Sequence, residues 1–142
     1  MDVDKLKKLA NTIEKGVVEF PELGHNVAFN MQTEWCVYPS SEVYFPPRRD
    51  DIDDFSGVTA CGCYIGFTIL LFTPFAKVML EKEPSQWPDL FTEARLVLDL
   101  DKAVAADLFY GRMSGKISGP DGARVIRKYL MTESIDWSFL TA

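Results

Sequence analysis

The sequence is short of the residues that most often build a catalytic or metal centre. It has one histidine, His25, and three cysteines, Cys36, Cys61 and Cys63. An odd number of thiols cannot pair fully within one chain, which fits a reducing cytoplasm better than secretion. Positive charge is also scarce: 15 Lys and Arg stand against 21 Asp and Glu, a net charge of −6. Phosphate contacts need Lys and Arg to displace counterions, so an acidic chain argues against direct nucleic-acid binding. No apolar run follows the charges of Met1–Lys8, so no signal peptide is expected. A membrane-spanning helix needs about 20 apolar residues. The densest stretch, Ile65–Ala76, is shorter and is interrupted by Pro74, so it reads as a buried central helix and no membrane association is expected.

What remains is an ordinary globular composition: 142 residues, 47% hydrophobic and 25% charged. That is one domain over residues 1–142. A chain of this size folds without a disulfide or metal. Nothing in it calls for a cofactor. The charge is uneven. Residues 19–109 carry fifteen acids and six bases, while both ends are slightly basic.

Hydrophobic periodicity predicts a first helix over 3–18, with Leu6, Leu9, Ala10, Ile13 and Val17 on one face and Gly16 near its end. Residues 19–57 are broken by proline and glycine. Within them 27–35 reads as a short turn or helix. Trp35–Tyr38 and Val43–Phe45 are β-prone and predict a small hairpin around Pro39–Ser41. A central helix is expected from about Thr59–Cys61 to Phe72, then helices over 75–81, 88–98, 102–110 with Asp101 as cap, and 120–131. The expected fold is mainly α: a compact helical bundle of five to six helices with an irregular insertion, containing a short hairpin, around residues 35–50.

Several stretches occur in a distinctive order: Phe29-Asn-Met-Gln-Thr-Glu-Trp35, Cys61-Gly-Cys-Tyr-Ile-Gly66, Ala94-Arg-Leu-Val-Leu-Asp-Leu100, Ala106-Asp-Leu-Phe109, and Ala123–Leu130 followed by Ile135-Asp-Trp137. Together they resemble a loose group of small uncharacterised proteins from bacteria and their phages. That group shows Phe-x-Met-x-x-Trp, a Cys-containing small-residue helix start with Gly, and an Ala-x-x-Leu-Gly-Leu turn. A Leu-Phe helix end and a final helix closing near Asp-Trp complete its pattern. This chain departs from it at Tyr64 and Ile65, where the group has Ile and Ala, and at Asp99, where it has Gly. The resemblance implies a mostly helical small domain and no particular activity.

The available chemistries are few. His25, Cys36, Cys61 and Cys63 match the ligand count of a Cys3His zinc site. However, Cys61 and Cys63 are closer than the usual C-x2–4-C knuckle, and a helix would turn their thiols roughly 200° apart. Buried packing suits them better. Gly62 and Gly66 read as positions of close packing. Ser114-Gly115-Lys116 lacks the upstream glycines of a phosphate loop. Asp50, Asp51, Asp53 and Asp54 lack the Gly and Glu of a calcium loop. Residues 94–110 have a helix-turn-helix outline, but the second helix lacks base-reading side chains. Arg124, Arg127 and Lys128 share one face of the last helix and, with Arg112 and Lys116, could make at most a small basic patch.

The strongest signal is for partner binding. Tyr38, Tyr44 and Phe45 stand beside Pro46 and Pro47, then Arg48, Arg49, Asp50, Asp51, Asp53 and Asp54. Aromatics and arginine are enriched at interfaces, and proline lowers the entropy lost on docking. The expectation is a small soluble cytoplasmic protein with no catalytic or metal centre that binds a protein partner. One version is a phage-encoded protein that antagonises a host defence system. The aromatic content leaves room for a homodimer. The alternative is a thiol- or zinc-dependent enzyme using Cys61, Cys63, Cys36 and His25.

Overall fold

A computed structural model describes residues 1–37, 58–111 and 117–138. In chain order they form α1 (Val3–Ile13), β1 (Val17–Phe20), β2 (His25–Phe29), β3 (Trp35–Val37), β4 (Ala60–Gly62), α2 (Tyr64–Phe72), α3 (Ala76–Glu81), α4 (Leu90–Val97), α5 (Lys102–Tyr110) and α6 (Gly119–Thr132). A 3-10 turn at Pro84–Gln86 precedes α4. The four strands make one mixed sheet in the order β1-β2-β4-β3. The expected mainly helical bundle is therefore corrected to an α/β fold.

The physical reasons are local. The first helix stops at Ile13, and Gly16, at φ 78°, turns the chain so that Val17 opens a strand. Val17–Phe20 folds back on His25–Phe29 as an antiparallel pair, so 27–29 is strand where a turn or helix was expected. Trp35–Val37 is a strand, as its β-branched and aromatic content predicts. Its partner among the described residues is Ala60–Gly62, with Trp35 opposite Gly62, Cys36 opposite Cys61 and Val37 opposite Ala60. The other half of the expected hairpin, Val43–Phe45, lies outside the described residues. β4 also pairs parallel with β2, Val27 opposite Ala60 and Phe29 opposite Gly62. The predicted start of the central helix at Thr59–Cys61 is thus a strand, and the helix begins at Tyr64 with Cys63 as cap.

The helices after the sheet follow their sequence signals closely. Asp89, Asp101 and Ser118 each accept a backbone hydrogen bond at the start of α4, α5 and α6, satisfying amide groups left open in the first turn. Leu98-Asp99-Leu100 turns between α4 and α5 with Asp99 at φ 56°. That left-handed position suits glycine best and tolerates aspartate.

α2 lies at the centre. Residues Tyr64–Leu70 are all buried, and at nine residues the helix spans roughly 14 Å. Among the described residues no helix is long and apolar enough to cross a membrane. α1 packs along α6, and α2 packs against α4 and α1. α6 approaches the sheet at Gly122, where an added Cβ would lie 2.7 Å from the Phe29 ring, and the Tyr64 hydroxyl donates to the Gly122 carbonyl at 2.7 Å. One contiguous core joins α1, α2, α4, α5, α6 and one face of the sheet. A small second cluster of Ala28, Cys36, Val58 and Cys61 forms apart from it.

Candidate functional site

The residues nominated for partner binding, Tyr38, Tyr44, Phe45, Arg48, Arg49, Asp50, Asp51, Asp53 and Asp54, lie outside the described residues. The structure does describe both places where the chain joins them, β3 on one side and Val58–Gly62 on the other.

β3 is clamped to α2. Cβ atoms added at Gly62 and Gly66 would lie 2.8 and 2.7 Å from the Glu34 carbonyl oxygen and 3.0 and 2.9 Å from the Trp35 ring. The absence of side chains at these two positions lets the backbone of 34–35 lie directly on β4 and α2. The Trp35 indole N–H donates to the Met79 carbonyl at 2.9 Å. Next to it the Tyr110 hydroxyl donates to Glu34 Oε2 at 3.1 Å, and the Tyr110 ring stacks on Phe91 with centroids 5.4 Å apart. Burial raises the Glu34 carboxyl above its usual range; the Tyr110 hydrogen bond opposes this and the nearby Asp89 charge adds to it. Burial and the Glu34 charge likewise raise the Tyr110 hydroxyl.

On the other side, Val58–Gly62 is tied to β2. The Asn26 amide donates to Thr59 Oγ1 at 3.0 Å, and the Thr59 amide donates to the Asn26 carbonyl at 2.9 Å. His25 Nδ1 lies 2.8 Å from Thr59 Oγ1, so the single histidine is engaged at the far end of β2. It is three positions from Ala28, the residue opposite Cys61, a separation of about 10 Å along a strand.

The thiols divide into two kinds. Cys36 and Cys61 are cross-strand partners within the small cluster, and a hydrogen bond with Cys61 lowers the Cys36 thiol below its ordinary value. Cys63 belongs to the main core. Its Sγ accepts from the Ile65 amide at 3.4 Å, and burial pushes its thiol up to about 12. The structure therefore does not bring His25, Cys36, Cys61 and Cys63 together. Among the described residues no group of three or more His, Cys, Asp or Glu side chains is placed to hold a metal ion. The expected geometric obstacle was helical; the actual one is that strand and helix cap send Cys61 and Cys63 into different clusters.

The basic face of α6 is engaged as well. Arg127 bonds Glu14 and, at 2.8 Å, Asn11 Oδ1. Lys128 pairs with Asp136 at 2.6 Å and Arg124 with Asp121 at 3.6 Å. Lys128 and Ser138 hold the Asp136 carboxyl well below the usual range. These contacts dock the chain after α6 and fasten α6 to α1. Arg112 and Lys116 lie outside the described residues.

Sequence reasoning missed Glu34 and Tyr110, which are 76 positions apart and share no local pattern. The available signal was the Gly62/Gly66 pair, which marks close packing without naming the approaching element. Comparison with protein-family models, with curated proteins and with solved structures finds no match to this chain.

Proposed function

We propose that this is a non-catalytic cytoplasmic protein that binds a basic protein partner through residues 38–54. The observation that carries the reading is the place where this segment is inserted. Residues 38–59 connect two neighbouring antiparallel strands, with Val37 and Ala60 directly opposite each other. Hairpin connections are commonly two to five residues. A much longer one between strands that need so little chain is a usual place for function. Its two ends are held by β3 on Gly62 and Gly66 and by Thr59 on Asn26. A binding segment mounted on fixed ends loses less entropy on docking.

The composition of the segment supplies the partner's chemistry. Four aspartates within Asp50–Asp54 favour a basic surface, and the acidic middle of the chain steers encounter with it. A nucleic-acid-binding protein of a bacterial host has such a surface, and occupying it would antagonise that protein.

Capture from a bacterial host extract tests this, with the chain and its Asp50/Asp51/Asp53/Asp54→Asn variant as paired baits. The proposal expects a basic protein retained by the unaltered chain and released by added salt. Its affinity for the variant falls by roughly fourfold to several hundredfold, since four charge contacts at about 0.2–1 kcal/mol each sum to about 0.8–4 kcal/mol. Equal capture by both baits overturns it.

A further inference from the structure

Cys36 is the middle residue of β3 and Cys61 the middle residue of β4, and they stand directly opposite each other in an antiparallel pair. Such residues hold their Cα atoms about 4.5–5.5 Å apart. That is inside the span of about 4.4–6.8 Å that a disulfide bridges. Both side chains point into the same small cluster with Ala28 and Val58, and the two thiols are hydrogen-bonded to each other. Cys63 sits in the other cluster, capping α2. We propose that Cys36 and Cys61 form a reversible dithiol–disulfide couple, oxidised by a small peroxide, with Cys63 excluded from it.

The chemistry balances as follows. Cys36 releases its proton to solvent, and its thiolate attacks one oxygen of hydrogen peroxide. The O–O bond breaks, Cys36 becomes a sulfenic acid, and the departing hydroxide takes up a proton as water. The Cys61 sulfur then attacks the Cys36 sulfur. The S–S bond forms, the S–O bond breaks, and the Cys61 proton leaves with the hydroxyl as a second water. The two sulfurs lose two electrons and the peroxide gains them.

Position favours Cys36 as the first to react. Both thiols are at most 1% exposed, so a small oxidant and local opening are needed. β3 is three residues long and, among the described residues, is an outermost strand of the sheet, a position where opening costs least. The bond joins the two strands between which residues 38–57 are inserted, and it forms whether or not that segment binds a partner.

The test is a peptide map of the full chain after treatment with hydrogen peroxide, alkylation in denaturant and digestion without reductant. The expected product has lost two hydrogens, carries a Cys36–Cys61 linked peptide pair, and is alkylated only at Cys63; dithiothreitol reverses it. Cys63→Ala keeps the bridge, while Cys36→Ser and Cys61→Ser each abolish it. A bridge to Cys63, a bridge only between chains, or three alkylated thiols under conditions that fully oxidise glutathione overturns the proposal. Because the decisive map is read on the unaltered chain, the result does not depend on whether any variant folds.

Discussion

Replacing Gly66 by alanine sets two effects of opposite sign against each other. Gly66 lies within α2, where alanine is favoured over glycine by about 1 kcal/mol. The added Cβ, however, would lie 2.7 Å from the Glu34 carbonyl oxygen and 2.9 Å from Trp35 Cε3. The carbonyl is backbone and has little freedom to move. The flanking Thr33 carbonyl accepts from the Cys63 amide at 3.0 Å, and Trp35 is paired in register with Gly62. Overpacking of this kind costs about 1–3 kcal/mol. Shifting Trp35 also weakens its hydrogen bond to Met79, worth about 1 kcal/mol. The net expectation is a loss of about 1–3 kcal/mol, a Tm lower by roughly 3–10 °C for a chain of this length. Urea unfolding followed by circular dichroism measures it, with the midpoint falling at unchanged m. A variant that gains the increment of helix propensity alone would show that β3 does not lie on α2 in the way argued.

Two further outcomes follow from buried polar groups. Among the described residues the buried Thr68 hydroxyl has no hydrogen-bond partner, so Thr68→Val, which replaces it by a methyl of similar shape, should raise stability by about 1 kcal/mol, seen as a higher urea midpoint; an unfolding midpoint below wild type refutes this. Glu34 is held above its ordinary value of 4.5, chiefly by burial, so the protonated form stabilises the fold at low pH and that contribution is lost as pH rises through the raised value. Glu34→Gln keeps an acceptor for Tyr110 and removes the titration. Its stability relative to wild type should therefore increase between about pH 4 and about pH 7, and a difference that does not change with pH contradicts the assignment.

The helices were far more legible in the sequence than the sheet. Asp101 with Lys102–Tyr110, and Ser118-Gly119-Pro120 with the run to Thr132, carry their cap, their apolar stripe and their stop within one short window. β3 and β4 are three residues each, too short for alternation to register. Their strand partners among the described residues all lie more than 20 positions away, as with Cys36 and Cys61. Ala60-Cys61-Gly62 reads as the small-residue start of a helix because the two features that make it a strand, its pairing with β2 and with β3, are both non-local. The hairpin partner expected for Trp35–Tyr38, Val43–Phe45, lies outside the described residues, and among the described residues β3 pairs with Ala60–Gly62. The proposal that the segment 38–54 binds a partner rests on its composition. What composition did not contain was its mounting, since the clamp of Glu34 and Trp35 on Gly62 and Gly66 depends on strand order.

The central claim is that residues 38–54 serve partner binding while the α/β frame folds without them. The most direct measurement shortens the hairpin, replacing residues 39–57 by Thr-Asn-Gly, so that Val37 stays opposite Ala60 and Asn-Gly makes a favoured two-residue turn, and keeping Val58 and Thr59 for their contacts with β2. The account predicts that the shortened chain unfolds cooperatively with the circular dichroism of the α/β frame and no longer retains the partner captured by the unaltered chain. A shortened chain that folds and binds that partner with unchanged affinity, or one that fails to fold at all, would contradict it.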